Sequence, residues 1–115
     1  MTKFILSFVF VNLLFTSGSF AQFSGPSQRR EPVTVEQVRQ TLPGRYVTVI
    51  GNLVAHQREN YYTFRDATGE IRVEIEPHVW QGREITPDIR VRLTGEIDAS
   101  VRGRYIWVET LQIVE

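Results

Sequence analysis

The chain has 115 residues, thirteen Lys and Arg against thirteen Asp and Glu, and no cysteine. That length holds one domain with a modest core, and the missing cysteines exclude disulfide staples, thiol nucleophiles and Cys-based metal or redox centres. A formal net charge of zero excludes the positive excess that non-specific polyanion binding needs.

Lys3 and the amino terminus make a weakly positive start, and Phe4 to Phe15 is apolar except for Ser7 and Asn12. Small and polar residues follow, with Ser19 and Ala21 placed for cleavage before Gln22. This is the layout of a secretory signal peptide over residues 1–21. The apolar run is short for a hydrocarbon core of ~30 Å, and no longer one follows, so the mature chain is expected to carry no transmembrane segment. Losing Lys3 leaves only arginine as the basic residue and a slight acidic excess. Residues 22–32, with Phe23-Ser24-Gly25-Pro26 and then Gln28-Arg29-Arg30-Glu31, read as a flexible tether. A domain is expected over residues 33–115.

Thr34-Val35-Glu36-Gln37 has the form of a capping box, in which the Thr34 hydroxyl and the Gln37 amide serve each other's backbone. It predicts a short helix with Val35, Val38 and Leu42 on its packed side, stopped by Pro43-Gly44. Period-two alternation begins at Tyr46, with Val47, Val49, Gly51 and Leu53 facing in. Gly51 falls where a barrel strand bends sharply or passes close to a neighbour. After a turn at Gln57–Asn60, Tyr61 to Arg65 is a second strand with Tyr62 and Phe64 inward. Asp66-Ala67-Thr68-Gly69 is a tight turn. Glu70 to Glu76 is a third strand, with Ile71, Val73 and Ile75 inward.

Pro77-His78-Val79-Trp80 interrupts the sheet, with Trp80 a large apolar plug for one barrel end. Pro87-Asp88 opens a fourth strand with Val91, Leu93, Gly95 and Ile97 inward, and Gly95 parallels Gly51. A turn at Ala99–Gly103 leads to a fifth strand, Arg104 to Ile113, with Ile106 and Val108 inward. Its phase slips near Leu111, which predicts a bulge. Five short strands with closely spaced turns predict an all-β fold, a small barrel that removes the sheet edges. Periodicity alone leaves a small sandwich or an SH3-like barrel open.

The chain resembles the bacterial OB-fold family of exported stress-tolerance proteins, the YgiW/YdeI type. The residues that carry the resemblance begin with Phe23-Ser24-Gly25-Pro26, Thr34-Val35 and Val47 to Leu53. They continue with Tyr62-Thr63-Phe64-Arg65-Asp66-Ala67-Thr68-Gly69-Glu70-Ile71, Trp80, Thr86-Pro87-Asp88 and Val91 to Asp98. It implies a five-stranded OB-fold barrel with a short N-terminal helix, in the periplasm of a Gram-negative cell, linked to envelope or oxidative stress. It brings no catalytic residues. The turn Ala99-Ser100-Val101-Arg102-Gly103 departs from relatives that place an aromatic there.

No residue constellation supports an enzyme, a cofactor or a metal. His56 and His78 belong to no spaced ligand motif. Glu74 and Glu76, two apart on an outward strand, read as a solvated pair. OB barrels bind nucleic acid through aromatic and basic residues on strands two and three and the flanking loops. Here the outward positions offer Tyr61, Arg65, Arg72, Arg92, Tyr105 and Trp107 as a candidate ligand surface. Glu70, Glu74, Glu76 and Glu96 are interleaved with them, which argues against nucleic acid. The expected partner is a small ligand, a glycan or an envelope protein. The last would make the chain a non-enzymatic interaction module, for which Phe23 in the tether is a possible anchor. Tyr105 and Trp107 would pack under the helix, stack on a ligand or form a protein contact, so a monomer or a weak dimer is expected.

Overall fold

The computed structural model describes residues 30–115. The signal peptide expected over residues 1–21, and all but the end of the tether, lie outside the described residues. Glu31–Glu115 forms one compact unit. Its elements are the helix α1 (Val35–Arg39) and the strands β1 (Tyr46–Arg58), β2 (Tyr61–Asp66) and β3 (Gly69–Glu74). A 3-10 helix (Pro77–Trp80) follows, then β4 (Arg90–Ser100) and β5 (Gly103–Ile113). The strands close into a barrel in the order β1-β2-β3-β5-β4. Only β3 and β5 run parallel; the other four pairings are antiparallel. This is the five-stranded mixed barrel of the OB-fold.

The inward sets read from the alternation fill the core. Val49, Phe64, Val73, Ile75, Val91, Leu93 and Ile97 have no exposed surface, and Val47, Leu53, Ile71, Ile106 and Val108 are buried with them. Tyr62 is half-buried against this cluster. The two inward glycines mark close approaches. A methyl group on Gly95 would run into the Trp107 carbonyl of β5, and one on Gly51 would meet the Arg65 carbonyl and the Phe64 ring. The phase slip in β5 is a bulge: Thr94 pairs with Thr110, but Gly95 pairs with Val108. Glu109 is the extra residue, and the bulge lets both Val108 and Leu111 point inward.

The capping box forms as read. The Thr34 amide donates to Gln37 Oε1 at 2.9 Å, and the Gln37 amide donates to Thr34 Oγ1 at 3.2 Å. The helix is shorter than its apolar spacing suggests. It ends at Arg39, and Leu42 is 66% exposed rather than packed. The chain turns away to reach β4, where the Gly44 amide donates to the Ile97 carbonyl at 2.7 Å, and Leu42 is carried out of helical phase. Val35 and Val38 alone seat α1 on the core. Upstream, Pro32 makes a parallel bridge to Thr48, and the Val33 amide donates to the Thr48 carbonyl at 2.8 Å. Trp80 packs against the core as expected but only half-buried, its ring edge-on to Tyr62 with centroids 5.2 Å apart, and Val79 is the fully buried residue of the 3-10 helix.

Asp66 ties the helix to the barrel. Its Oδ1 accepts from the Thr68 amide at 2.8 Å, the Thr68 hydroxyl at 2.7 Å and the Gly69 amide at 3.2 Å. Its Oδ2 accepts from the Val35 amide at 2.9 Å, one of the donors that a helix start leaves unpaired. Partial burial works to raise the Asp66 pKa, but hydrogen bonds from Thr68, Val35 and Gly69 outweigh it and hold the carboxyl below its ordinary 3.8.

Two predictions follow from these contacts. Gly95→Ala forces β4 off the β5 backbone and should cost about 3 kcal/mol or more, the upper range for overpacking, read as a lower midpoint in urea. Asp66→Asn should cost about 1–2 kcal/mol at neutral pH. Because the folded pKa is depressed, the Asp66 contribution is complete above 3.8 and is lost as pH falls through the folded value. The stability gap between wild type and variant should therefore close on acidification through that range. A gap that stayed constant would show that the carboxylate charge is not what the turn uses.

Candidate functional site

Barrel closure lines up outward residues that lie far apart in sequence. Cross-strand pairing runs Tyr61–Glu74 between β2 and β3, Glu74–Trp107 into β5, Trp107–Glu96 into β4, and Glu96–Tyr46 into β1. Aromatic and carboxylate side chains thus alternate along one row that winds around the barrel, with aromatics two strands, or about 10 Å, apart at the backbone. The next row is Thr63–Arg72–Tyr105–Asp98. Partners that stand opposite in a sheet share a face, so both rows belong to the outer surface.

Arg72 is the centre of this face. Its guanidinium carbon lies 5.3 Å from the Tyr61 ring centroid and 4.7 Å from that of Tyr105. The two rings meet edge to face at 6.1 Å. Stacking on both rings desolvates the cation while leaving it attracted to their π faces. One terminal nitrogen donates to Ser100 Oγ at 2.8 Å. The Arg72 Nε is buried and has no hydrogen-bond partner. Tyr105 donates its hydroxyl to Asp98 Oδ2 at 3.2 Å. Burial, the Asp98 hydrogen bond and the neighbouring charges of Asp98 and Glu74 raise the Tyr105 pKa. The Trp107 indole points at Glu76 Oε2, 3.5 Å away. Partial burial raises the Glu74 pKa, and Glu76 and Asp98 add to the rise while Arg72 opposes it.

Four of the six residues singled out in the sequence therefore meet: Tyr61, Arg72, Tyr105 and Trp107. Tyr105 and Trp107 do not pack under α1, which sits at the β2–β3 turn through Asp66 and Thr68. Arg65 and Arg92 lie elsewhere. Arg65 pairs with Glu70 through two bonds of 2.9 and 2.6 Å. Arg92 stands opposite Ile50 on one side and Gln112 on the other, several residues along β4 from Asp98. Sequence reading missed Asp98, Ser100 and Tyr46 as members of the face. No local pattern marks them, because pairing between strands brings them in: the β4–β5 register sets Asp98 against Tyr105, and the β1–β4 register sets Tyr46 against Glu96.

The two histidines have local roles. His56 stacks on Tyr62 at 4.5 Å and bonds the Glu59 carbonyl through Nε2, and exposed His78 lies 3.8 Å from Glu76. Among the described residues no three His, Cys, Asp or Glu side chains are placed to hold a metal ion. Nor is any helix among them long and apolar enough to cross a membrane.

Strand order and short helix together define an OB-fold module, here with an aromatic outer face. A protein-family model described as bacterial OB fold (BOF) protein matches residues 16–113. The calcium-regulated OB-fold protein CarO of Pseudomonas aeruginosa is 32% identical over 105 residues, covering 91% of this chain and 90% of that one. Protein YgiW of Escherichia coli is 34% identical over 87 residues, 66% of this chain and 67% of that one. The solved structure of the E. coli ygiW protein superposes with a TM-score of 0.73, covering 81% of this chain and 98% of that one. The chain belongs to the bacterial OB-fold protein family.

The electrostatics of the face predict that Glu74 titrates above its ordinary 4.5 and that Asp98→Asn brings it down. Carboxyl-resolved NMR across acid pH reads both. A raised folded pKa means that ionised Glu74 works against folding, so its unfavourable contribution disappears as pH falls through the folded value. A Glu74 titration unmoved by Asp98→Asn would break the proposed coupling.

Proposed function

We propose that the protein is a periplasmic, non-catalytic OB-fold binding module. It takes a small ligand or envelope component on the Tyr61–Arg72–Tyr105–Trp107 face, in support of stress tolerance. The observation that carries the ligand reading is the row in which Tyr61, Glu74, Trp107, Glu96 and Tyr46 alternate across five strands. Aromatic rings offer stacking surface, and carboxylates between them accept hydrogen bonds from hydroxyl groups. That pairing suits a polar, hydroxyl-rich ligand such as a glycan fragment. It does not suit a phosphate chain, because Glu74, Glu76, Glu96 and Asp98 surround the single stacked arginine and cancel the field that a polyanion needs. Family membership and the signal-like residues 1–21 support the periplasm and removal of a leader in a Gram-negative envelope.

The test is an amide-resolved NMR titration with muropeptides, short single-stranded DNA and divalent cations. Saturable shifts on β3, β5 and the β4–β5 turn are expected with the sugar-bearing ligands. Trp107→Ala or Tyr105→Ala should weaken them about tenfold or more, ~1.4 kcal/mol. Unchanged affinity in both folded variants would remove the site. A second reading, a protein-interaction module acting on another envelope protein, draws on Val101, which is fully exposed at the β4–β5 turn beside this face. Flat spectra for every member of the panel would favour it.

A further inference from the structure

A second concave site lies on another part of the barrel, away from the aromatic rows. It is a cleft of about 430 Å3 walled by Pro32–Thr34 on one side and the β2–β3 turn on the other, with Ile50, Gly51 and Asn52 of β1 between them. Its volume falls in the range of roughly 300–1,000 Å3 typical of small-ligand sites. Pro32, Val33 and Ile50 make its lining largely apolar. Arg65 and Arg90 complete it.

The sheet register explains the two arginines. Asn52 pairs with Arg65 of β2 on one side and with Arg90 of β4 on the other, so all three share a row and a face. The guanidinium groups spring from backbone positions about 10 Å apart, two strand spacings. The Asn52 side-chain amide donates to the carbonyls of Pro87 at 2.9 Å and Ile89 at 3.2 Å. Arg92 stands two residues along β4 from Arg90, opposite Ile50, which lines the cleft. Asp66 lines the cleft as a carboxylate, its two oxygens taken up by backbone and hydroxyl donors, and Glu70 is paired with Arg65. Among the described residues neither Arg90 nor Arg92 has an ion-pair partner.

We propose that this cleft binds a small free amphipathic anion, a carboxylate or phosphate monoester whose short apolar body lies on Val33 and Ile50 and whose head is held by Arg90 with Arg92 and Arg65. The argument is charge complementarity. An apolar floor beside Arg90, which has no ion-pair partner among the described residues, with Arg92 next along the strand and Arg65 shared with Glu70, attracts an anionic head over a neutral or cationic one. The site is independent of the aromatic face.

The test is an amide-resolved NMR titration of the full chain with octanoate, octyl phosphate, octanol and inorganic phosphate, all below micelle-forming concentration. Octanoate and octyl phosphate should give saturable shifts at Val33, Ile50, Gly51 and Thr68. Octanol and inorganic phosphate, each holding half of the required chemistry, should bind at least tenfold more weakly. Arg90→Gln should weaken octanoate about tenfold, Arg92→Gln should weaken it in the same direction, and Arg72→Gln on the other face should leave it unchanged. Three results would overturn the proposal: no saturable shift with either amphiphile, octanoate shifts that map to Tyr61 and Tyr105, or octanoate affinity untouched in both folded Arg90 and Arg92 variants. Failure here leaves the Trp107 and Tyr105 titrations as they stand, so the two readings fall separately.

Discussion

Three parallel residue pairs hold the molecule shut. Arg72, Val73 and Glu74 of β3 pair with Tyr105, Ile106 and Trp107 of β5, the three register pairs between those two strands. Without them β3 and β5 would be bare edges, in a chain with no disulfide to close it. Parallel pairing cannot be made by a tight turn, because the chain must travel back before it can pair again. The 3-10 helix, the loop after it and all of β4 make that return. Val73 and Ile106, the middle pair, are buried and supply the apolar glue, while the pairs on either side point outward. Closure and site construction are therefore one event. The same register that buries Val73 against Ile106 sets Arg72 against Tyr105 and Glu74 against Trp107.

The near-zero formal charge conceals a polarised surface. Carboxylates collect on β3 and β4 around Trp107, and arginines collect around Asn52 on the adjoining part of the barrel. The Arg65–Glu70 pair, bonded at 2.6 Å, stands between these regions. Both of its members are about half exposed, so the pair adds little stability in water. Its larger effect is on the field, since Glu70 offsets part of the positive charge that Arg65 brings to the edge of the cleft. Whole-chain charge excludes a non-specific polyanion binder, but it is silent about such a division.

Local patterns in the sequence translated well into structure. Alternation placed the inward residues of all five strands, because one face of each strand must be buried and the period of two allows no drift. The capping box was legible because its partners are three residues apart. Gly51 and Gly95 were legible as close approaches, although not what they approach. The misreadings share a cause. Leu42 continues the helical spacing, but the Gly44–Ile97 bond takes the chain elsewhere. Trp80 packs on the core as read, but the 3-10 geometry buries Val79 more deeply. In the candidate site, alternation identified outward residues without showing which are neighbours. Register between strands decides that, and the sequence does not write it down. Tyr61, Arg72, Tyr105 and Trp107 came together, while Arg65 shares a row with Arg90, and Arg92 stands two residues further along β4.

The two surfaces also depend on different parts of the fold. The aromatic rows need the β3–β5 register and the close passage of Gly95 beneath Trp107. The cleft needs its two walls, which hydrogen bonds hold in place along with the packing of Val33 on the core. Val33 is tied to the Thr48 carbonyl, and the β2–β3 turn is shaped by Asp66, which also reaches the Val35 amide thirty-one residues earlier. The Arg39 guanidinium donates to the Glu70 carbonyl and fastens the same junction from the helix side. Loosening Asp66 would therefore open the cleft and free α1 while leaving the β3–β5 seam intact. Disturbing Gly95 would act first on the β4–β5 pairing that sets Glu96 and Asp98 against Trp107 and Tyr105. A single small barrel can in this way carry two chemically opposite surfaces on shared strands, each fixed by its own nearest contacts.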